Sequence, residues 1–149
     1  METLRLGAFE TNSSTTHAVT VMSKADYEKF VAGLYYLNYE TEKIDTTTEM
    51  YDQYKKDLTE KNAVANLKDE SSIQEILSID QFVDVLKYLH ERKPTSDNEL
   101  IGNTKVVKRF LSAYSYISYY EICHGYEYVT DQKKIGNEEV VAFSYMTEC

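Results

Sequence analysis

Apolar residues recur along this chain at two spacings, and the switches between them mark out its elements. Leu4 to Phe9 and Ala18 to Met22 are short apolar segments that read as strands flanking a polar run, so the run becomes the loop of an N-terminal hairpin. Ser23 then offers a helix N-cap, with Asp26 at the third helical position and Met22 and Tyr27 placed as a hydrophobic staple. Gly33 supplies a left-handed stop. Leu34 to Glu40 is rich in Tyr and reads as a strand. Helical spacing returns with Met50, Tyr51, Tyr54 and Leu58 after the Thr46-Thr47-Thr48 run. The polar stretch from Glu60 to Glu70 reads as a loop or frayed turn, and Ser71 with Gln74 as the start of a short helix. Ser78 and Gln81 form a capping box inside a Leu77/Phe82 staple. Ile79, Phe82, Val83, Leu86 and Leu89 supply the core stripe of the helix it opens. Pro94 ends that helix, and Thr95 to Asn103 reads as a loop.

In the last third two patterns overlap. Val107, Phe110, Leu111, Tyr114 and Ile117 fit a helix, whereas the Tyr, Ser and Ile of Tyr114 to Ile122 favour a strand. Helix comes first, and the crossover within 105–122 stays open. Tyr126 to Thr130 and Val140 to Met146 alternate on either side of an Asp131 to Glu139 connector that holds Gly136-Asn137, a hairpin signal. The expected fold is a single α+β domain over residues 1–149. It has a small, mostly antiparallel sheet, three to five helices, and a hairpin at each end.

Composition narrows the class. With 42% hydrophobic and 28% charged residues, five Gly and one Pro, the chain has the makeup of a folded domain rather than a disordered one. No apolar run approaches the roughly 20 residues that span a bilayer, and no secretory signal pattern stands at the N-terminus. A cytoplasmic protein without membrane contact is the expectation. Cys123 and Cys149 do not make a disulfide framework.

Charge is the stronger filter. The formal net charge is −9, and the stretch from Glu40 to Glu91 holds 13 acids against 6 Lys, a local balance of 6 − 13 = −7. Nucleic-acid binding needs a basic surface, so direct nucleic-acid contact is not expected. The acidic stretch reads either as a solvated face or as a patch, with Glu49, Asp52 and Asp57, that docks on a basic groove of a partner complex. Fourteen Tyr against five Phe and no Trp favour half-buried sheets and binding surfaces, and leave homo-oligomerisation open.

Candidate chemistry concentrates in Glu10, Thr11, Asn12, Ser13, Ser14, Thr15, Thr16 and His17, a run dense in donors and acceptors with little to bury. A hydroxyl nucleophile with His17 as base is one reading, a ligand or phosphate contact another, a structural loop the third. The glycines of a nucleophile elbow or phosphate loop are missing, so no residue is assigned as catalytic. Cys123-His124 lacks the second short-spaced pair of a dedicated zinc site, and neither metal nor cofactor is expected. His90, late in its helix, reads as a capping or surface residue. Asp69-Glu70 and Glu138-Glu139 match no acid/base pattern. Lys105, Lys108 and Arg109 are the one compact basic cluster, and one helical face would present them to an anion or to solvent.

Phe9-Glu10-Thr11-Asn12-Ser13-Ser14-Thr15-Thr16-His17-Ala18 resembles the FETNSSSTHS opening of small bacteriophage and prophage proteins. Ser23-Lys24-Ala25-Asp26-Tyr27-Glu28-Lys29 is similar to their SK-x-DY-x-K helix, and Glu139 to Tyr145 to their last strand. Thr15 and Ala18 stand where that group has serines. The resemblance implies a phage or prophage origin, a bacterial host cell as the compartment, and no assigned catalytic residue. Together with the acidic stretch it leads to the expectation of a small binding protein that inhibits a host defence complex (anti-CRISPR or another anti-defence type) or a nucleic-acid-processing complex. A nucleotide or small-ligand site in the Asn12 to His17 loop and an oligomerising accessory protein are the alternatives.

Overall fold

The computed structural model describes residues 15–16, 19–67, 74–91 and 95–147. In chain order these form β1 (Thr15–Thr16), β2 (Thr20–Ser23), α1 (Lys24–Val31), β3 (Tyr36–Asn38), β4 (Lys43–Asp45), α2 (Thr47–Leu67), α3 (Ile79–Glu91), α4 (Asn98–Ala113), β5 (Tyr116–Ile117), α5 (Tyr119–Gly125), β6 (Glu127–Ile135) and β7 (Glu138–Thr147). The fold class is α+β, with the strands in two antiparallel sheets rather than one.

Local signals set several boundaries. Ser23 caps α1 by accepting from the Asp26 amide at 3.1 Å, and Gly33 takes φ +83° just past its end. A Cβ at Gly33 would also stand 2.4 Å from Cγ of His90, so both backbone and packing require glycine there. The box at the start of α3 is reciprocal: Ser78 N–H donates to Gln81 Oε1 at 2.9 Å and Gln81 N–H to Ser78 Oγ at 3.2 Å. Gly136-Asn137 turns β6 into β7, and the pairing runs from Ile135↔Glu138 to Glu127↔Met146, so most of the expected connector is strand.

Other segments depart from the expectation, each for a visible reason. α2 continues through the supposed loop to Leu67, because Glu60, Lys61, Ala63 and Ala65 are good helix formers and Ala65 is buried. Asn62 secures that extension by donating from Nδ2 to the Gln74 carbonyl and accepting the Gln74 amide, while Gln74–Ser78 stays non-helical. Thr95 to Asn103 is not all loop: Asp97 caps α4 by accepting from the amides of Glu99 and Leu100. Only Tyr116 and Ile117 of the ambiguous stretch are strand, because Ser118 accepts the Glu121 amide and opens α5. In α3 the buried side chains are Phe82, Val85 and Leu86; Ile79 is exposed and Val83 half-buried. β2 pairs with β7, and the other strand of the expected N-terminal hairpin, Leu4 to Phe9, lies outside the described residues. So do Ser71 and Pro94.

Two cores result. Met50 and Tyr54 of α2, Phe82, Val85 and Leu86 of α3, and Val107 and Phe110 of α4 pack into one. Its centre is aromatic, with the Tyr54 and Phe82 rings stacked at 5.1 Å and Phe110 edge-on to Tyr54 at 5.6 Å. Truncating Phe82 to Ala would cost about 3–5 kcal/mol. The second core joins Phe30 and Ile122 to Met22, Val141, Phe143 and Tyr145 on the larger sheet. The smaller sheet partitions them: Tyr36 and Tyr116 belong to the helical core, their neighbours Leu37 and Ile117 to the other, as strand alternation requires.

Candidate functional site

Of the N-terminal polar run, Glu10, Thr11, Asn12, Ser13, Ser14 and His17 lie outside the described residues. Thr15 and Thr16 form β1, in register with Thr147 and Met146 at the end of β7.

The three acids singled out on α2 separate. Glu49 is exposed in the first turn, where Thr46 Oγ1 accepts its amide and its charge favours the helix dipole. Asp52 is exposed one turn further on, with Lys55 at 3.8 Å in a pair that is itself largely solvated and therefore weak. Asp57 is turned the other way. It is only 7% exposed, accepts a hydrogen bond from the Tyr114 hydroxyl at 2.9 Å, and meets Lys61 at 3.1 Å. It does not belong with the outward-facing acids.

Asp57 is one member of a set the sequence did not disclose. Directly after α4, Tyr114, Ser115 and Tyr116 each donate a side-chain hydroxyl to a carboxylate of the acidic stretch. Tyr114 reaches Asp57, Ser115 reaches Glu40 Oε1 at 2.7 Å, and Tyr116 reaches Asp45 Oδ2 at 2.7 Å. Ser115 sits at φ +63°, which turns the chain sharply enough for three successive side chains to find three acceptors. The β3–β4 turn locks against the same corner. Asn38 Oδ1 accepts the amides of Glu40 and Thr41, its Nδ2 donates to the Tyr114 carbonyl, and the Tyr39 amide donates to the Ser115 carbonyl. Burial, followed by the bond to Asp45, pushes the Tyr116 hydroxyl well above the usual value near 10; burial and then Asp57 raise Tyr114. A signal was present in the sequence, since three hydroxyl residues in a row after a helix are unusual donors, but their acceptors lie 57 to 75 positions away.

Beside this corner a cleft of about 750 Å³ opens where α3, α4, the smaller sheet and the start of α5 meet. Tyr36 and Tyr116 form its floor, Tyr39, Tyr88 and Tyr126 stand around it, and Lys108 and Glu121 bring opposite charges to its wall. These residues come from five separate elements, with Tyr39 and Tyr126 just beyond the ends of two of them, so no local spacing could have gathered them. A second cleft of about 460 Å³ lies between α2 and α4, with Asp57, Asn62 and Arg109 in its lining.

The remaining candidates resolve locally. His124 Nδ1 donates to the Tyr120 carbonyl at 2.8 Å and its ring stacks on Tyr120 at 3.9 Å. Cys123 is half-buried beside Tyr119 and Tyr128, where burial, then the Cys123 thiol and the hydroxyls of Tyr27 and Tyr128, raise Tyr119. Among the described residues no group of three or more His, Cys, Asp or Glu is arranged to hold a metal ion. His90 packs against Gly33, with Nδ1 buried and unpaired among the described residues. Glu138 and Glu139 open β7 just after the turn, and Glu139 pairs with Lys24 at 3.2 Å. Among the described residues no helix is long and apolar enough to cross a membrane.

No family model, curated protein or solved structure matches this chain at a significant level of similarity.

Proposed function

We infer that the protein is a small acidic binding protein of phage or prophage type, acting by docking on a basic groove of a host defence or nucleic-acid-processing complex and so inhibiting it. The observation that supports the reading is the outward charge of α2: Glu49 has no ion pair among the described residues, and Asp52 has only the weak contact to Lys55. An α-helix with unneutralised carboxylates along its first turns is a rigid carrier of negative potential. Complementary charge would speed encounter with a basic partner and make the complex salt-sensitive. The bonds to Tyr114, Ser115 and Tyr116 hold Asp57, Glu40 and Asp45 in place, while Glu49 and Asp52 face outward on the first turns of α2.

The test is affinity capture from a bacterial lysate at low and high salt with the full chain as bait. The reading expects a defined complex at low salt, released as salt rises, and retained poorly by the Glu49→Gln/Asp52→Asn variant. A complex indifferent to both salt and substitution would remove the electrostatic mechanism. Asp57 is left intact in this variant, because its loss would unfold a corner of the protein and imitate a binding defect.

A further inference from the structure

We propose that the tyrosine-lined cleft between α3, α4 and the smaller sheet is a mononucleotide site, with the base against its tyrosine rings and the phosphate at Lys108. The site is independent of the α2 docking surface. At about 750 Å³ the cleft falls within the range of small-molecule sites, and it combines an apolar floor with a few polar groups, as such sites do. The floor is firm: Tyr36 and Tyr116 are core residues, and Tyr116 is fixed by its bond to Asp45. The hydroxyls of Tyr39, Tyr88 and Tyr126 are hydrogen-bonded to no other described residue, so planar rings with donors and acceptors surround the space. A nucleobase fits such a lining, because every base has a π-face and polar edges.

The charges favour the same ligand. Lys108 forms no ion pair among the described residues and is the cation in the lining of this cleft, with Lys105 one turn earlier on the same side of α4, whereas Arg109 faces the cleft between α2 and α4. Glu121 contributes a carboxylate able to accept from a base amino group or a ribose hydroxyl. A cationic side chain would meet Lys108 and is the poorer occupant. A nucleic-acid strand would bring many phosphates to a chain of net charge −9, whereas one phosphate needs one lysine.

The experiment is NMR titration of the full-length protein at low salt with AMP, GMP, CMP and UMP, with adenosine as the phosphate-free control. At least one monophosphate is expected to bind saturably and to shift the ring signals of Tyr39 and Tyr126. Adenosine should bind at least about tenfold more weakly than AMP if AMP is the ligand, the loss of one charge-assisted contact. Lys108→Ala, at an exposed position, should keep the wild-type melting temperature and lower the monophosphate affinity by a similar factor. The proposal is overturned if no monophosphate binds saturably, or if Lys108→Ala binds as well as wild type. It is also overturned if a single-stranded oligonucleotide displaces the mononucleotide as the tighter ligand. None of these outcomes depends on Glu49 or Asp52, so failure here and failure of the docking reading are separable.

Discussion

Asp57 and Glu49 lie on the same helix and contribute the same formal charge, yet they occupy opposite roles. Asp57 is buried and held by Tyr114 and Lys61, whereas Glu49 faces solvent without a cationic partner among the described residues. The same division runs through the segment that precedes α2, where Glu40 and Asp45 are tied to Ser115 and Tyr116. An acid-rich stretch is therefore two populations. One serves as acceptors that fasten the end of α4 to the smaller sheet and α2. The other gives the surface its charge. Net charge in a sequence cannot distinguish them, because the distinction depends on which distant hydroxyl reaches which carboxylate.

The largest expected effect comes from removing the most buried member. Asp57→Ala deletes a hydrogen bond to a charged acceptor at a buried position, so urea unfolding should show a loss of about 1.5–3 kcal/mol. Tyr116→Phe keeps the ring in the core and removes the hydroxyl that bonds Asp45; a loss of about 1–2 kcal/mol is expected in the same assay. Should either variant be neutral, the hydroxyl–carboxylate corner would not be a stabilising feature.

Alkaline titration sharpens the comparison from the tyrosine side. Burial raises Tyr54 and Tyr116, and Tyr145 is pushed up to about 12 by burial and then by Tyr126, Tyr39 and Glu42. A hydroxyl whose value is raised in the folded state keeps its proton when the unfolded chain has already lost it. Stability from these groups is thus complete below about pH 10 and falls as the pH rises through about 12. Melting temperature should be level up to pH 10 and then drop, with late phenolate absorbance appearing together with unfolding. A single ionisation step near pH 10 with the fold intact would contradict the burial of these rings. The smallest effect belongs to the outward acids: Glu49→Gln/Asp52→Asn should leave unfolding free energy within about 0.5 kcal/mol of wild type.

Legibility in the sequence followed the range of the interaction. Ser23, Gly33, the Ser78/Gln81 box and Gly136-Asn137 act over a few residues, and each appears where its local chemistry placed it. The Glu60 to Leu67 part of α2 was hidden because its polarity resembles a loop, and only Asn62 gripping Gln74 and the burial of Ala65 reveal its packed side. The cleft was less legible still. Tyr36, Tyr88, Lys108 and Glu121 come from β3, α3, α4 and α5, and only the tertiary fold brings them to one cavity. The polar run from Glu10 to His17 was the plainest chemical signal in the sequence, and apart from the β1 backbone it lies outside the described residues.

The division of the acids is tested most directly by comparing partner capture for Glu49→Gln/Asp52→Asn and for Tyr116→Phe, at equal concentrations of folded protein and low salt. The account predicts that the first variant loses the partner while remaining as stable as wild type, and that the second keeps the partner while being less stable. Equal capture by both, or loss of capture confined to Tyr116→Phe, would contradict it.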